Sequence, residues 1–453
     1  MTNPRLYPAV LLLSACLIPE TQARTVFTPN CTGPTNKENF VKEPDIRGTM
    51  HIIWSSLFTI IACTWTLQHP NVPKQYRGLK PWTKSWWGAQ SHSLFENAKW
   101  MVITVLAPEV IIIAATHDLL LARQLRKKFH DKAQEGGVTW GLRHSYYALM
   151  GGFVLDTKEL DVIREENTNL SDMPRIFHLS GEALEDLRNK NYISHLPDIE
   201  HEEINNLCEH DMFVKVVALC QIIWSSSQAI VRARRGLDVS PLEVSVLAFA
   251  ACGVIIYGLY WCKPQGVRST TTVKLSGTGK ASFGDIHDKL WKMHQKRFSI
   301  LRILLLGNMR SPLLGHPIGL DELIVDAEFS GFGGGSIVAG IVGATLFGAV
   351  HIGAWNFPFP SLTDQLVWRI ATVYTIAFGV LATFLDVIGG LIVDHTHKDR
   401  PYSGMLLRRL IMAMSWSYVL CRVAVLVEIV RTLFFLPPNA YTSTWTSNFP
   451  HFG

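Results

Sequence analysis

Long apolar runs constrain the fold of this chain more than any other feature. A helix that crosses a bilayer needs ~20 mostly apolar residues, because lipid cannot satisfy backbone polar groups. Six runs meet this requirement, at about 49–67, 100–122, 242–261, 336–354, 366–393 and 410–436. A seventh, about 212–231, contains Lys215, Gln221 and Gln228, and either lies inside a bundle or rests on the membrane surface. We therefore predict an all-α integral membrane bundle of six spans, or of seven or eight if weaker runs also cross.

The composition supports a membrane protein and excludes other classes. Charged residues make up 17% of the chain, against ~25% in soluble domains. Hydrophobic residues reach 48%, which excludes a disordered chain. The net charge of +5 gives no strong basic field, so we expect no nucleic-acid partner.

The first 23 residues are typical of a secretory signal peptide. Arg5 precedes the apolar run 9–18, and small residues follow at 21–23. A run this short predicts a cleaved export signal, with an uncleaved anchor as the alternative. We therefore expect a membrane protein of the secretory pathway, in the endoplasmic reticulum or plasma membrane. Its mature start would lie in the lumen, where Asn30 of Asn30-Cys31-Thr32 could be glycosylated.

Loop charges predict the orientation of the spans, because Lys and Arg concentrate on the cytosolic side. The loop between the last two spans contains Lys398, Arg400, Arg408 and Arg409, whereas loop 355–365 and tail 437–453 contain neither residue type. An exported start with a lumenal tail requires an even number of spans. One conflict remains, since a basic cluster follows the second span on its predicted lumenal side. Its members are Arg123, Arg126, Lys127 and Lys128.

Polar segments divide the chain after the signal at 1–23. The predicted divisions are a lumenal start with two spans at 24–122, a polar insert at 123–211, the seventh run plus the third span at 212–261, a polar loop at 262–335, and the last three spans with the tail at 336–453. The insert is rich in Asp, Glu, His and Asn. It contains no recognisable nucleophile arrangement, so we expect it to contribute to regulation or access.

Two acids inside spans are the first candidate functional residues. Ionisable groups are costly in lipid and usually mark sites of function. Glu109 lies near the middle of the second span and follows Pro108, which kinks a helix. Asp386 lies in the apolar run 366–393, just before Gly389-Gly390. Neither has a visible local partner, so we predict Glu109 as a neutral central acid and Asp386 as its helper.

Two further acids have a structural alternative. Glu428 in the last span has Arg431 three residues later, at the spacing of an ion pair within one helix. Asp45 precedes the first span, where it either caps that helix or lines the mouth of a site together with Arg47.

Motifs for cofactors and metals are missing from the sequence. There is no GxSxG, HExxH or strand-linked GxGxxG, and no aspartate-rich DDxxD for magnesium diphosphate. His395 and His397, with flanking aspartates, fit a solvated loop better than a metal site. We therefore expect no cofactor and no bound metal.

Several short motifs resemble a large group of fungal multipass membrane proteins. They are Pro44-Asp45-Ile46-Arg47-Gly48-Thr49, Ile53-Trp54-Ser55, Cys63-Thr64-Trp65-Thr66, Tyr147-Ala148-Leu149-Met150-Gly151-Gly152-Phe153, and the segment from Leu242-Glu243 to Lys263-Pro264. They cover most of residues 40–265, and this group implies no particular activity. The exported start, aromatic-rich spans and isolated carboxylates are also similar in style to the membrane-bound terpene cyclases of fungal meroterpenoid pathways.

Three functions are compatible with these features. The first is a membrane enzyme whose buried acid protonates a lipophilic, prenylated substrate while aromatic faces stabilise the cation. The alternative is a proton-coupled or ion transporter or channel, in which the same acids relay protons. The third is a sensor or scaffold whose insert binds partners. The expected partners are the lipid bilayer and, for the enzyme, a lipophilic small molecule.

Overall fold

The computed structural model describes most of the chain after the predicted signal peptide. The described residues are 34, 39–42, 47–72, 84–156, 176–207, 212–267, 269–275, 297–299, 322–324, 334–395 and 401–444. Side chains at 73–93, 157–177, 208–214 and 382–408 lie outside this description, even where the backbone is helical or extended. The predicted signal and the glycosylation site at Asn30 also lie outside it.

The described chain is mostly helical. Its long helices are α1 (Thr49–Thr66), α2 (Lys84–Leu106), α3 (Pro108–Glu135), α7 (Met212–Arg234), α8 (Pro241–Leu259), α9 (Gly334–Ile352), α10 (Leu362–His395) and α11 (Pro401–Leu433). Three short helices lie between α3 and α7: α4 (Leu142–Leu149), α5 (Gly181–Asn189) and α6 (His201–Asn206). A 3₁₀ turn, Pro438–Tyr441, follows α11.

Four of these helices are long and apolar enough to cross a membrane, as far as the described residues go. They are α7 over Lys215–Arg234, α8, α9 over Gly335–Ile352 and α11 over Met412–Leu433. The seventh apolar run is thus a full helix that meets the requirement. Helix α1 is not among the four, because threonine, serine and histidine interrupt its apolar sequence. The mostly helical part of the prediction is confirmed, and the four apolar helices support a membrane protein.

Hydrogen bonds gather several helix ends at one end of the bundle, here called the Arg47 end. The Arg47 guanidinium donates to Glu243 Oε1 over 2.6 Å, which joins the start of α1 to the start of α8. Arg232, buried at the end of α7, donates to the carbonyls of Asp238, Asn439, Ala440 and Thr442. The end of α7 and the segment after α11 therefore lie at this same end.

The opposite end, here called the Lys263 end, is joined in the same way. Lys263, just after α8, forms an ion pair of 2.7 Å with Asp118 of α3. The Gln265 amide donates to the carbonyl of Thr66, the last residue of α1, and to that of Gln68 just after the helix. The end of α1, the end of α8 and the middle of α3 therefore meet at the Lys263 end.

A sharp break separates α2 from α3. Helix α2 ends at Leu106, Ala107 has a non-helical conformation, and Pro108 starts α3, where its missing N–H costs nothing. The segments Asn97–Leu106 and Pro108–Glu135 are bent by 112° relative to each other. The kink predicted at Pro108 is thus a complete break in the helix.

Small residues let the start of α3 approach α9 closely. A Cβ on Gly340 would lie 2.6 Å from Ile113 Cδ1, and one on Gly343 would lie 2.7 Å from Ile112 Cδ1. Real side chains avoid such distances, so a larger residue at either position would force the isoleucine side chain to move. Gly348 on the same helix packs against Ile376 of α10, so α9 presents small residues to two neighbouring helices.

The polar insert folds around a small sheet, so the all-α prediction fails for this part of the chain. Strand β1 (Phe153–Asp156) pairs antiparallel with β2 (Ile176–Leu179), in the register Phe153 to Leu179, and parallel with β3 (Thr271–Thr272). A second, separate pair joins β4 (Arg297–Ser299) and β5 (Glu322–Ile324) antiparallel. Short strands with few alternating residues give a weak sequence pattern, which explains why the helical prediction missed them.

The core of the insert extends beyond 123–211. Phe129 and Leu125 on the last turns of α3 pack into it, as do Val72 after α1 and Val273 after α8. Trp140 meets Phe129 edge to face, with ring centroids 5.0 Å apart. The insert is therefore continuous with α3, which links it to the membrane bundle.

Candidate functional site

The break between α2 and α3 places Glu109 in the first turn of α3, beside Gly343 of α9. Only 7% of the residue is exposed. Both carboxylate oxygens have a donor from α11. The Arg422 guanidinium donates through Nη2 to Oε2 over 2.8 Å, and the Tyr418 hydroxyl donates to Oε1. Arg422 Nε also donates to Tyr418 Oη over 2.7 Å, which closes a three-membered network.

The spacing of Tyr418 and Arg422 brings both onto one face of α11. Residues four apart in a helix are neighbours on its surface, so the hydroxyl and the guanidinium reach the same carboxylate. Aromatic rings enclose them. The guanidinium lies 4.0 Å from the ring centroid of Phe347, and the Tyr418 ring lies 4.5 Å from that of Phe378. Water is thus excluded, and the charges depend on each other for compensation.

The expectation that Glu109 has no charged partner is wrong. No basic residue lies within one helical turn, but Arg422 is 313 positions away in the sequence and supplies the missing charge. Each Glu109 oxygen accepts one hydrogen bond, and one of the two donors is a guanidinium. This is a hydrogen-bonding pattern that suits a carboxylate. The sequence did contain a signal for this pair, since an arginine within an apolar span needs an acidic partner.

A second polar group lies toward the Arg47 end. His351 Nδ1 is 2.7 Å from the Phe347 carbonyl, and Nε2 is 3.2 Å from the hydroxyl of Ser245. The His351 ring stacks on Phe347 with centroids 4.4 Å apart, and the indole of Trp368 donates to the His351 carbonyl. Phe347 therefore contacts both Arg422 and His351. Nothing in the sequence singled out Ser245.

The other predicted acids are separate from this network. Glu428 lies near the Arg47 end, with Oε1 3.6 Å from Arg431 Nη1, so the predicted pair within α11 exists at a long distance. Asp386 lies on α10, and its side chain is outside the description. Asp45 falls in the undescribed residues 43–46. Arg47, two positions later, binds Glu243. Sequence reasoning missed two residues. Tyr418 is the second donor to Glu109, and Asp364 is the main partner of Arg431.

The described residues contain no group of three or more His, Cys, Asp or Glu side chains that could hold a metal ion. The side chains of His395 and His397 lie outside the description. Within this part of the chain, the candidate site is the network of Glu109, Tyr418 and Arg422.

Comparison with known proteins gives a family and no activity. A model of the family of unknown function DUF8562 matches residues 24–282, more than half of the chain, and the chain belongs to that family. The matched part contains Glu109 and ends before α9. No curated protein and no solved structure matches the chain.

Proposed function

We propose that this member of the DUF8562 family is a proton-coupled transporter of small anions, with Glu109, Tyr418 and Arg422 as its central site. One observation carries the proposal, namely a buried acid–arginine pair at the break of a helix pair inside an apolar bundle. Interrupted helices with charged groups at the break are typical of substrate and ion sites in transporters. The positive end of the α3 dipole at this break adds to the attraction for an anion.

The site suggests an exchange of partners at Arg422. When a proton binds the Glu109 carboxylate, the acid becomes neutral and its attraction for the guanidinium falls. Arg422 would then remain as a buried charge, and breaking such a pair costs about 3–5 kcal/mol. An incoming carboxylate, phosphate or sulfate can restore the compensation by taking the place of Glu109. Proton uptake and anion binding are thereby coupled, with Tyr418 as the hydroxyl next to the transferred proton.

The cyclase hypothesis has one feature in its favour, the aromatic rings of Phe347, Phe378 and Trp368 around a proton donor. A terpene cyclase must stabilise a substrate carbocation on such rings. Here the Arg422 guanidinium already lies over the Phe347 ring. A second cation beside it would be repelled, so the geometry favours transport over cyclisation.

The proposal includes six crossings and a re-entrant pair. Helix α1 would cross from the Arg47 end to the Lys263 end, and α7 to α11 would follow as five alternating crossings. Val72 after α1 hydrogen-bonds Met150 of the insert, and Asp118 of α3 binds Lys263. Helices α2 and α3 would thus enter and leave the membrane at the Lys263 end. The total stays even, as the signal peptide and a lumenal tail require.

This arrangement removes the conflict over the basic cluster. Arg123, Arg126 and Lys127 on α3 would share the Lys263 end with the basic loop between α10 and α11. By the positive-inside rule, that end is cytosolic and the Arg47 end is lumenal. Single-cysteine variants at Lys127 and Arg235, both exposed, test this in sealed microsomes with an impermeant maleimide. Labelling of the cytosolic position Lys127→Cys alone is expected, and labelling of Arg235→Cys alone would contradict the orientation.

Transport is tested in liposomes that contain the full chain and a trapped pH-sensitive dye. Phosphate, sulfate and malate are added outside, one at a time, with an inward proton gradient. We expect at least one anion to accelerate internal acidification, and Glu109→Gln and Arg422→Gln each to reduce that rate at least tenfold. Asp118→Asn, which alters the ion pair at the Lys263 end, is the matched control and should retain most of the rate. Acidification equal to that of empty liposomes with all three anions would contradict transport.

The same preparation tests the alternative. Incubation with a farnesylated phenol or its epoxide, followed by product analysis, should return the substrate unchanged. A cyclised product that disappears in Glu109→Gln would establish the enzyme and overturn the transporter.

A further inference from the structure

Two acids and one base meet at the Arg47 end, away from the Glu109 network. Asp364 lies in the first turn of α10, and Glu428 and Arg431 lie one turn apart near the end of α11. Helices α10 and α11 pack along each other, which brings the three side chains together. Asp364 and Glu428 are almost fully buried, with side chains 5% exposed, whereas the Arg431 side chain is 51% exposed.

Arg431 is shared unequally between the two acids. It forms a bidentate pair with Asp364, in which Nη1 lies 2.9 Å from Oδ1 and Nη2 lies 3.1 Å from Oδ2. Its distance to Glu428 Oε1 is 3.6 Å, too long for a hydrogen bond. The other oxygen, Oε2, is buried and has no hydrogen-bond partner among the described residues. Glu428 is therefore a buried carboxyl group that lacks a strong cationic partner.

The charges at this cluster do not balance if both acids are ionised. Asp364 and Glu428 would contribute two negative charges against the single positive charge of Arg431. Of the helices packed against α11, α8 carries one charged residue, Glu243, which is paired with Arg47. On α10, Arg369 donates to the Trp355 carbonyl and to Asn356, and on α2, Lys99 lies over the ring of Trp100. A buried excess charge is costly and is normally removed by binding a proton or a cation.

We infer that Glu428 is a proton-binding site at the lumenal, Arg47 end of the bundle. The proton comes from water that reaches the exposed Arg431 and binds Glu428 Oε2. The neutral carboxyl then leaves Asp364 and Arg431 as a balanced pair.

The inference rests on the proposed function for its role, as an entry point for protons that reach Glu109. Glu428 and Arg422 are six residues apart on α11, which corresponds to ~9 Å along the helix axis. His351 and its Ser245 partner lie toward the Arg47 end, and the His351 ring stacks on Phe347, the ring that Arg422 also contacts. A proton taken up at Glu428 would thus enter the same polar layer that contains the central site.

Carbodiimide labelling tests the site directly, because dicyclohexylcarbodiimide reacts with protonated carboxyl groups in apolar surroundings. The full chain in liposomes is treated over a range of pH and mapped by mass spectrometry. We expect the label on Glu428, increasing as the pH falls. Glu109 is mapped in the same digest for comparison. Because its two carboxylate oxygens accept from Tyr418 and Arg422, it should label less than Glu428 at the same pH.

Two variants give opposite predictions for the same label. Asp364→Asn frees Arg431 to pair with Glu428, so labelling at a fixed pH should fall several-fold. Arg431→Gln removes the cation, so labelling should rise. A wild-type protein without label on Glu428 at any pH, or an unchanged label in both variants, would overturn the inference. Labelling requires no transport, so a labelled Glu428 without anion-dependent acidification keeps this site and rejects the transporter.

Discussion

The membrane bundle and the polar insert are held together by different forces. The bundle places buried charges at its centre, where Glu109, Tyr418 and Arg422 form a closed network. The insert instead has a core of rings and aliphatic side chains around Phe129 and Trp140. Lipid is as apolar as a leucine side chain, so burial against lipid gains little and helices associate through small residues and polar contacts. In water, the insert gains stability from burial itself.

The largest expected effect tests the charge side of this comparison. Arg422→Ala leaves the Glu109 carboxylate buried without its cation, which should cost about 3–5 kcal/mol. Thermal unfolding of the purified protein in detergent should show a large drop for this variant. The double variant Glu109→Gln/Arg422→Gln removes both charges and should recover most of the loss. A single variant as stable as the wild type would mean that the pair contributes nothing to the bundle.

The second effect tests the insert. Phe129 is fully buried, and Phe129→Ala removes a ring from the core, which should cost about 3–5 kcal/mol. Hydrogen exchange should rise in α4, α5 and β1 while the amides of α8 and α9 keep their protection. Phe434→Ala, at a position 52% exposed, is the matched control and should change neither region. Equal loss of protection in α8 would show that insert and bundle unfold as one unit.

Sequence reasoning reached the two regions to different depths. Run lengths predicted the helices of the bundle well, because the need for ~20 apolar residues acts on every span locally. The same rule placed a continuous span at 100–122, since it cannot detect that Ala107 and Pro108 break it. The sheet of the insert depends on pairing between Phe153 and Thr271, over 100 residues apart, and short strands carry too little pattern to reveal that.

The site shows the same limit. Glu109 was selectable from the sequence, because an acid after a proline inside an apolar run is unusual. Its partner was not, because Arg422 comes from a helix at the other end of the chain. Local spacing also favoured Arg431 as the partner of Glu428, whereas packing of α10 against α11 gives Arg431 mainly to Asp364.

A smaller effect tests the close packing that replaces apolar burial in the bundle. Gly340→Leu introduces a side chain where even a Cβ would clash with Ile113, and overpacking typically costs about 1–3 kcal/mol. The variant should push α3 away from α9 and weaken the contact of Glu109 with α11. A lower unfolding temperature and slower acidification are both expected. As the control, Gly258→Leu, at a position where a Cβ would have nothing within 4 Å, should leave both unchanged.

The smallest effect belongs to the insert and follows from pH. Gly141 N–H donates to His144 Nδ1 over 3.1 Å, so the hydrogen of the neutral ring is on Nε2, 2.9 Å from the Ile199 carbonyl. Burial lowers the pKa of His144 below its usual 6.5, with smaller contributions in the same direction from His201 and Arg143. Protonation at Nδ1 would break the bond from Gly141.

The sign of the pH dependence follows from that shift. Because the unfolded chain binds the proton more tightly, the stabilisation from neutral His144 is complete above pH 6.5 and is lost as the pH falls toward the lowered folded pKa. Hydrogen exchange in α4 should therefore increase as the solution is acidified through this window, while α8 and α9 stay protected. His144→Gln cannot titrate and should flatten the response. An equally steep response in that variant would assign the pH dependence to another group of the insert.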